Sequence, residues 1–158
     1  MSQNMNQFKQ TPVVGSVDLQ TNANPAMFTC RFKDVSAGGA TLVPGEGVKL
    51  VDLGASDFVG PPIVDERATT DVIFGVKLFT TKENTAEDGD IVQIAGDGAV
   101  VFMNAGAAIV RGAKVELVDA TPGNVITSAG TNRILGIALD KATAADQVIR
   151  VLVKEEAA

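Results

Sequence analysis

The chain has no histidine, no tryptophan, no tyrosine and a single cysteine. Without histidine, the commonest general base and the commonest zinc ligand are missing together. The lone Cys30 rules out an internal disulfide, a thiolate zinc site and a redox pair within one chain. No phosphate-cradling, dinucleotide-binding or nucleophile-elbow glycine motif stands at a strand-to-helix junction. The 13 Lys and Arg are scattered singly against 19 Asp and Glu, for a net charge of −6. Phosphate neutralisation needs a basic stripe, so no direct nucleic-acid partner is expected. There is no basic-then-apolar start and no apolar run of about 18 residues, so no membrane partner is expected. The expectation is a soluble product made inside a cell.

The carboxylates and hydroxyls that remain do not assemble into a catalytic pattern. Asp88-Gly89-Asp90 and Asp97 lack the ligand spacing of a calcium loop. A glycosidase pair works across a cleft, usually with aromatic platforms, and aromatics make up only 4% of the chain. These acidic residues are read as turn formers. Ser16, Ser36, Ser56 and Ser128 have no histidine to activate them. No catalytic residue, metal or cofactor is expected.

What is present is small and β-branched. Hydrophobic residues make up 46%, so the core must be Val, Ile, Leu and Ala, while sixteen Gly and six Pro separate short apolar runs. Residues 72–102 organise the chain. Val72, Phe74, Val76 and Leu78 alternate with their neighbours at the two-residue period of a strand. Ile91–Ile94 and Ala99–Phe102 flank Gly96-Asp97-Gly98, which reads as a tight hairpin. Phe74-Gly75-Val76 is matched by Leu135-Gly136-Ile137, Ile91-Val92-Gln93 by Val148-Ile149-Arg150, and GVKLVDL at 47–53 by AKVELVDA at 113–120. The spacing predicts an internal duplication and an all-β domain of nine to eleven short strands, a sandwich or a barrel. Only 104–114 reads as a helical turn, and it is short and glycine-rich.

Residues 1–26 are Gln- and Asn-rich with few apolar anchors and read as an extended arm; 27–158 form the body. Cys30 alternates with Phe28 and Phe32 on the inward face. The longest irregular loop runs from Gly54 to Thr70, and loops of that length are often functional. Contacts to neighbouring subunits are expected from Phe8, Val13, Val14, Val17 and Leu19 of the arm, which suit an added strand. The loop is expected to contribute Phe58, Pro61, Pro62, Ile63 and Arg67.

From about Pro44 to Val153 the order of units resembles the capsid cement (head decoration) proteins of tailed bacteriophages. The carriers are GEGVKLVD, FGVKL, EDGDIVQIAGDGAVVF, AGAAIVRGAKVELVD, TPGNVIT and the closing ILGIALDKA with VIRVLV. The first 40 or so residues match less clearly. The resemblance implies a non-enzymatic virion protein made in the host cytoplasm. It would sit on the outer capsid surface, bind the major capsid protein at subunit junctions and often act as a homotrimer. Two other classes are weighed. A small trimeric β-fold enzyme such as a nucleotide hydrolase needs an Asp-bearing motif, a metal and an aromatic over the base. A tail or surface binding module fits the β reading and the acidic charge equally well.

Overall fold

Short apolar runs punctuated by glycine become short strands that close on themselves. The computed structural model describes residues 13–18, 26–52, 60–68, 70–79, 85–118 and 121–157. Among them are ten strands and no helix: β1 (Met27–Phe32), β2 (Gly47–Leu50), β3 (Ile63–Glu66), β4 (Gly75–Lys77), β5 (Ile91–Ala95), β6 (Val100–Ala105), β7 (Lys114–Leu117), β8 (Asn124–Thr127), β9 (Ile134–Ala138) and β10 (Val148–Glu156). They form two closed five-stranded barrels, β1-β3-β2-β4-β5 and β6-β8-β7-β9-β10. In each, the first and third strands run parallel and every other pair is antiparallel.

The duplication holds to the register. Val48 faces Gly75 as Val115 faces Gly136, and Cys30 faces Val92 as Met103 faces Ile149. The loop bridges repeat as well: Leu42 and Ala86 exchange backbone hydrogen bonds, as do Ile109 and Ala142. Gly75 and Gly136 serve one purpose. A Cβ on either would run into a carbonyl oxygen of the last strand of its barrel, Ala95 or Leu152, so the strands cross too closely for any side chain. One cross-strand polar pair has changed chemistry between the copies. Lys49 bonds Asp71 at 2.8 Å in barrel one, and at the matching positions Asn132 donates to Glu116 at 2.9 Å.

Three local expectations are corrected. Gly96-Asp97-Gly98 does not close a hairpin: β5 pairs with β1 and β4, β6 with β8 and β10, and the turn links the two barrels. The helical turn expected at 104–114 is instead the end of β6, the Ile109 bridge, a turn at Arg111–Gly112 and the start of β7. The repeating unit is five strands rather than three, and within 72–79 only Gly75–Lys77 pairs as strand.

Two apolar clusters fill the molecule. Cys30, Phe32, Val48, Val64, Val92 and Ile94 fill barrel one. The second cluster fills barrel two with Val101, Met103, Val115, Leu135 and Val151, and extends to Ile73, Val76, Leu78 and Ala95 from the outer face of barrel one. The barrels therefore share a core.

Part of the arm belongs to that core. Gly15 N–H donates to Phe102 C=O (2.8 Å), Phe102 N–H to Ser16 C=O (2.9 Å) and Asp18 N–H to Val100 C=O (2.8 Å), so residues 15–18 lie antiparallel along β6. Val17 packs into the second cluster. Arg150 grips Asp140 with two bonds of 2.8 Å and reaches Asp18 at 3.5 Å, pinning the segment to β10.

Candidate functional site

Among the described residues, barrel one is open at one end. The inward alternation Phe28, Cys30, Phe32 on β1 leaves Cys30 and Phe32 fully enclosed, but Phe28 reaches the rim and is 42% exposed. On β2, Val48 is enclosed and Leu50, two residues on, is 55% exposed. Val72 and Phe74 lead into β4 beside them, and the Phe28 and Phe74 rings meet tilted at 5.3 Å between centroids. Together with Ile73 and Val153 these side chains line an apolar cleft of about 500 Å³. A cleft of that size and apolarity is a place where a partner's side chains are taken out of water.

Charge is confined to the cleft wall. Lys49, Asp71, Asp97 and Glu155 stand there. The Lys49 ammonium holds the Asp71 carboxyl below the usual carboxylate range, and Asp71 in turn raises Lys49. Arg133 bonds Glu155 at 3.2 Å, and Asp97 accepts the Glu155 N–H at 3.0 Å. The rim is left with one negative charge in excess.

Other titratable groups do structural work. Asp34 lies below its ordinary range, chiefly because the Ser36 hydroxyl bonds it (2.6 Å) and also because the Gly39 and Ala40 N–H groups do. Asp88 is lowered by Lys33 (2.8 Å) and accepts the Asp34 N–H (2.9 Å), while Asp90 accepts the Glu87 N–H (2.7 Å). Asp90 thus acts within its turn, whereas Asp88 ties that turn to the residues after β1. Burial pushes Lys77 down and Asp65 up, and raises the Cys30 thiol to about 11. Among the described residues no group of three or more His, Cys, Asp or Glu is placed to hold a metal ion. No helix among them is long and apolar enough to cross a membrane.

The residues expected to meet neighbours are dispersed. Phe8, Leu19 and Phe58 lie outside the described residues. Val13 is exposed, and Val14 packs on the glycines Gly45 and Gly123. Val17 faces the chain's own core rather than outward. Pro61 and Ile63 are half-buried and Pro62 is exposed beside β1, its carbonyl accepting the Arg31 N–H at 2.8 Å. Arg67 is buried between the barrels, donating to the Ala68 and Leu117 carbonyls at 3.1 and 3.5 Å. It lines a second cleft of about 250 Å³ with Gly47, Leu117 and Gly123. Val14 and Arg67 both lie by that junction, Val14 against Gly123 and Arg67 in the cleft that Gly123 also lines. The cleft residues Phe28, Leu50, Val72 and Phe74 were not singled out, because their alternation is that of core residues. Only alignment of the two halves sets Leu50 against Leu117 and Val72 against Arg133.

Among solved structures the chain is similar to the N base of the head fiber protein gp8.5 of bacteriophage phi29. The TM-score is 0.53 with 15% sequence identity, covering 83% of this chain and 95% of that one. At that identity the likeness is one of all-β fold alone. The sequence model of the phage cement proteins matches residues 33–154, from the end of β1 into β10, and the chain belongs to that family. No curated protein sequence matches it.

Proposed function

We propose that this chain is a non-catalytic virion protein that binds the outer surface of a phage capsid and cements neighbouring major capsid protein subunits, as a homotrimer. The observation that carries the reading is the family match across 33–154, which takes in both barrels apart from β1 and the last residues of β10. The physical logic agrees with the body. A pressurised shell fails where subunits part, and a clip that touches two of them adds free energy only to the assembled lattice. Several weak contacts on one rigid, oligomeric body act together, so modest single affinities give lasting attachment. Two fused barrels sharing a core are stiff enough to transmit that restraint.

Cryo-electron microscopy of the virions that carry this protein tests the proposal. Density for the double barrel over junctions between capsid subunits is expected. A shell bare of such density overturns the reading.

A further inference from the structure

The two barrels match in register but differ at one edge and one end. β6 is wider than its partner β8 can cover, since β8 reaches only Asn104 and Ala105. The remaining edge, at Val100–Phe102, is taken by residues 15–18, with Val17 opposite Val101. β1 has the same shortfall, because β3 pairs only with Arg31 and Phe32. Among the described residues no segment lies along the edge of Met27–Thr29. The N–H and C=O of Thr29, the counterpart of Phe102, point along that edge, away from β5. The ends differ in the same way. Val101 and Leu117 are 0% and 6% exposed, whereas their counterparts Phe28 and Leu50 are 42% and 55% exposed. Among the described residues, barrel one therefore lacks the segment that barrel two has.

We infer that the free edge of β1 and the apolar cleft beside it take the N-terminal segment of a second copy of this chain, with Phe8 entering the cleft and Lys9 at its acidic rim. Residues 1–12 carry one lysine and no carboxylate, next to their one aromatic residue. That complements a rim whose three carboxylates outnumber Lys49 and the Arg133 paired with Glu155 by one, on a chain of net charge −6. The body of a second copy does not fit instead. The barrel-one face that covers Leu117 presents Gly47, and the equivalent position on barrel two is Lys114. Any Cβ at Gly47 would meet Leu117 and would lie 2.9 Å from the Arg67 Nε, so a lysine there blocks the same seating.

Reach decides against the same chain. Gly15 packs on Pro44 and Gly45, at the opposite end of β2 from Leu50. The five residues from Gly45 to Leu50 span about 17 Å of strand. Phe8 is five residues from Val13 and extends at most about 17 Å. It would arrive taut, with nothing left to pass round the barrel wall. Between copies no such limit applies, and strand addition supplies backbone hydrogen bonds along with the apolar anchor.

The inference rests on the homo-oligomer of the proposed function, and two measurements keep the two apart. Sedimentation of the full-length protein is expected to show an oligomer, with Phe8→Asp and Leu50→Asp each raising its dissociation constant at least about tenfold. Leu50 is exposed on the single chain, so at concentrations low enough to dissociate the oligomer the melting temperature should be unchanged. Val110→Asp, on an exposed turn of barrel two, should leave the mass as it is. Cys30 is buried, so a Phe8→Cys protein mixed with a Leu50→Cys protein and oxidised should give a covalent heterodimer. A monomeric wild type overturns the oligomer and this inference together. An oligomer indifferent to both aspartates overturns this inference alone. So does a crosslink that forms only within one chain of a protein carrying both Phe8→Cys and Leu50→Cys, or no crosslink at all. Loss of capsid occupancy on Leu50→Asp with the oligomer intact assigns the cleft to the capsid instead and also overturns it.

Discussion

Replacing Gly136 by alanine is the sharpest test of the repeated barrel. The new Cβ would overlap the Leu152 carbonyl oxygen and lie 2.9 Å from its carbon and 3.0 Å from the Lys154 nitrogen. All three are backbone atoms, so no side-chain rotation relieves the overlap, and β10 must shift by about an ångström. Overpacking of that kind costs roughly 1–3 kcal/mol, and each ladder hydrogen bond lost from the shifted strand about 1 kcal/mol more. A total of roughly 3–5 kcal/mol is a large share of the ~5–15 kcal/mol that holds a domain. At about 2–4 °C per kcal/mol for this size, the melting temperature should fall by roughly 10 °C or more. Gly75→Ala should act in the same direction, since its Cβ meets the Ala95 carbonyl and lies 2.6 Å from Ile94 Cγ2. Gly96→Ala should cost about 1 kcal/mol or less, because its Cβ meets only the Phe28 ring edge at 2.5 Å and that ring borders the open cleft. With no tryptophan or tyrosine, unfolding is followed by far-ultraviolet circular dichroism. A Gly136→Ala protein melting within about 2 °C of the wild type, or Gly96→Ala proving the worse substitution, would refute the close-crossing argument.

At concentrations where the protein is monomeric, removing residues 1–12 should leave the melting curve of the body unchanged. Removing 1–18 should lower stability by roughly 2–4 kcal/mol, because Val17, the β6 pairing and the Asp18 contact to Arg150 go with it; equal melting of the two truncations would contradict this. Arg150 holds Asp140 below its ordinary pKa, so that part of stability is present above the usual carboxylate range and is lost as pH falls from about 4 through the lowered value. Asp140→Asn should show a shallower acid decline, measured as melting temperature against pH. Burial raises Cys30 to about 11, so its contribution holds below the ordinary thiol value and fades as pH climbs toward 11. A thiol reagent at pH 8 should therefore label the folded protein far more slowly than the protein in denaturant, and labelling at equal rates would place Cys30 outside the barrel.

The duplication was legible because a constraint on backbone approach leaves a visible mark: glycine recurs at 75 and 136 between apolar neighbours, and the matches drawn from it fall in the observed register. The hairpin was misread because Gly96-Asp97-Gly98 forms a tight turn whichever strands it joins. Turn chemistry is local, and the pairing partner of β5 is decided by β1, some sixty residues earlier. Val17 looked like an arm residue for a related reason. Its apolar surroundings are supplied by β6 and barrel one, not by its sequence neighbours. Arg67 was read as a loop charge because nothing nearby in sequence announces the Leu117 carbonyl. The cleft was hidden because Leu50 and Leu117 occupy matching places in nearly the same local sequence, and only tertiary packing covers one and bares the other.

A shell crowded with identical proteins resembles a very concentrated solution, a setting in which flat sheets with bare margins stick to one another and grow fibres. Rolling each sheet into a ring removes nearly all such margins, and in barrel two the chain's own leading residues cover the last of them. Among the described residues what stickiness is left sits at one short margin, so that under the proposed display on a capsid pairing would fall at that place and not as general clumping.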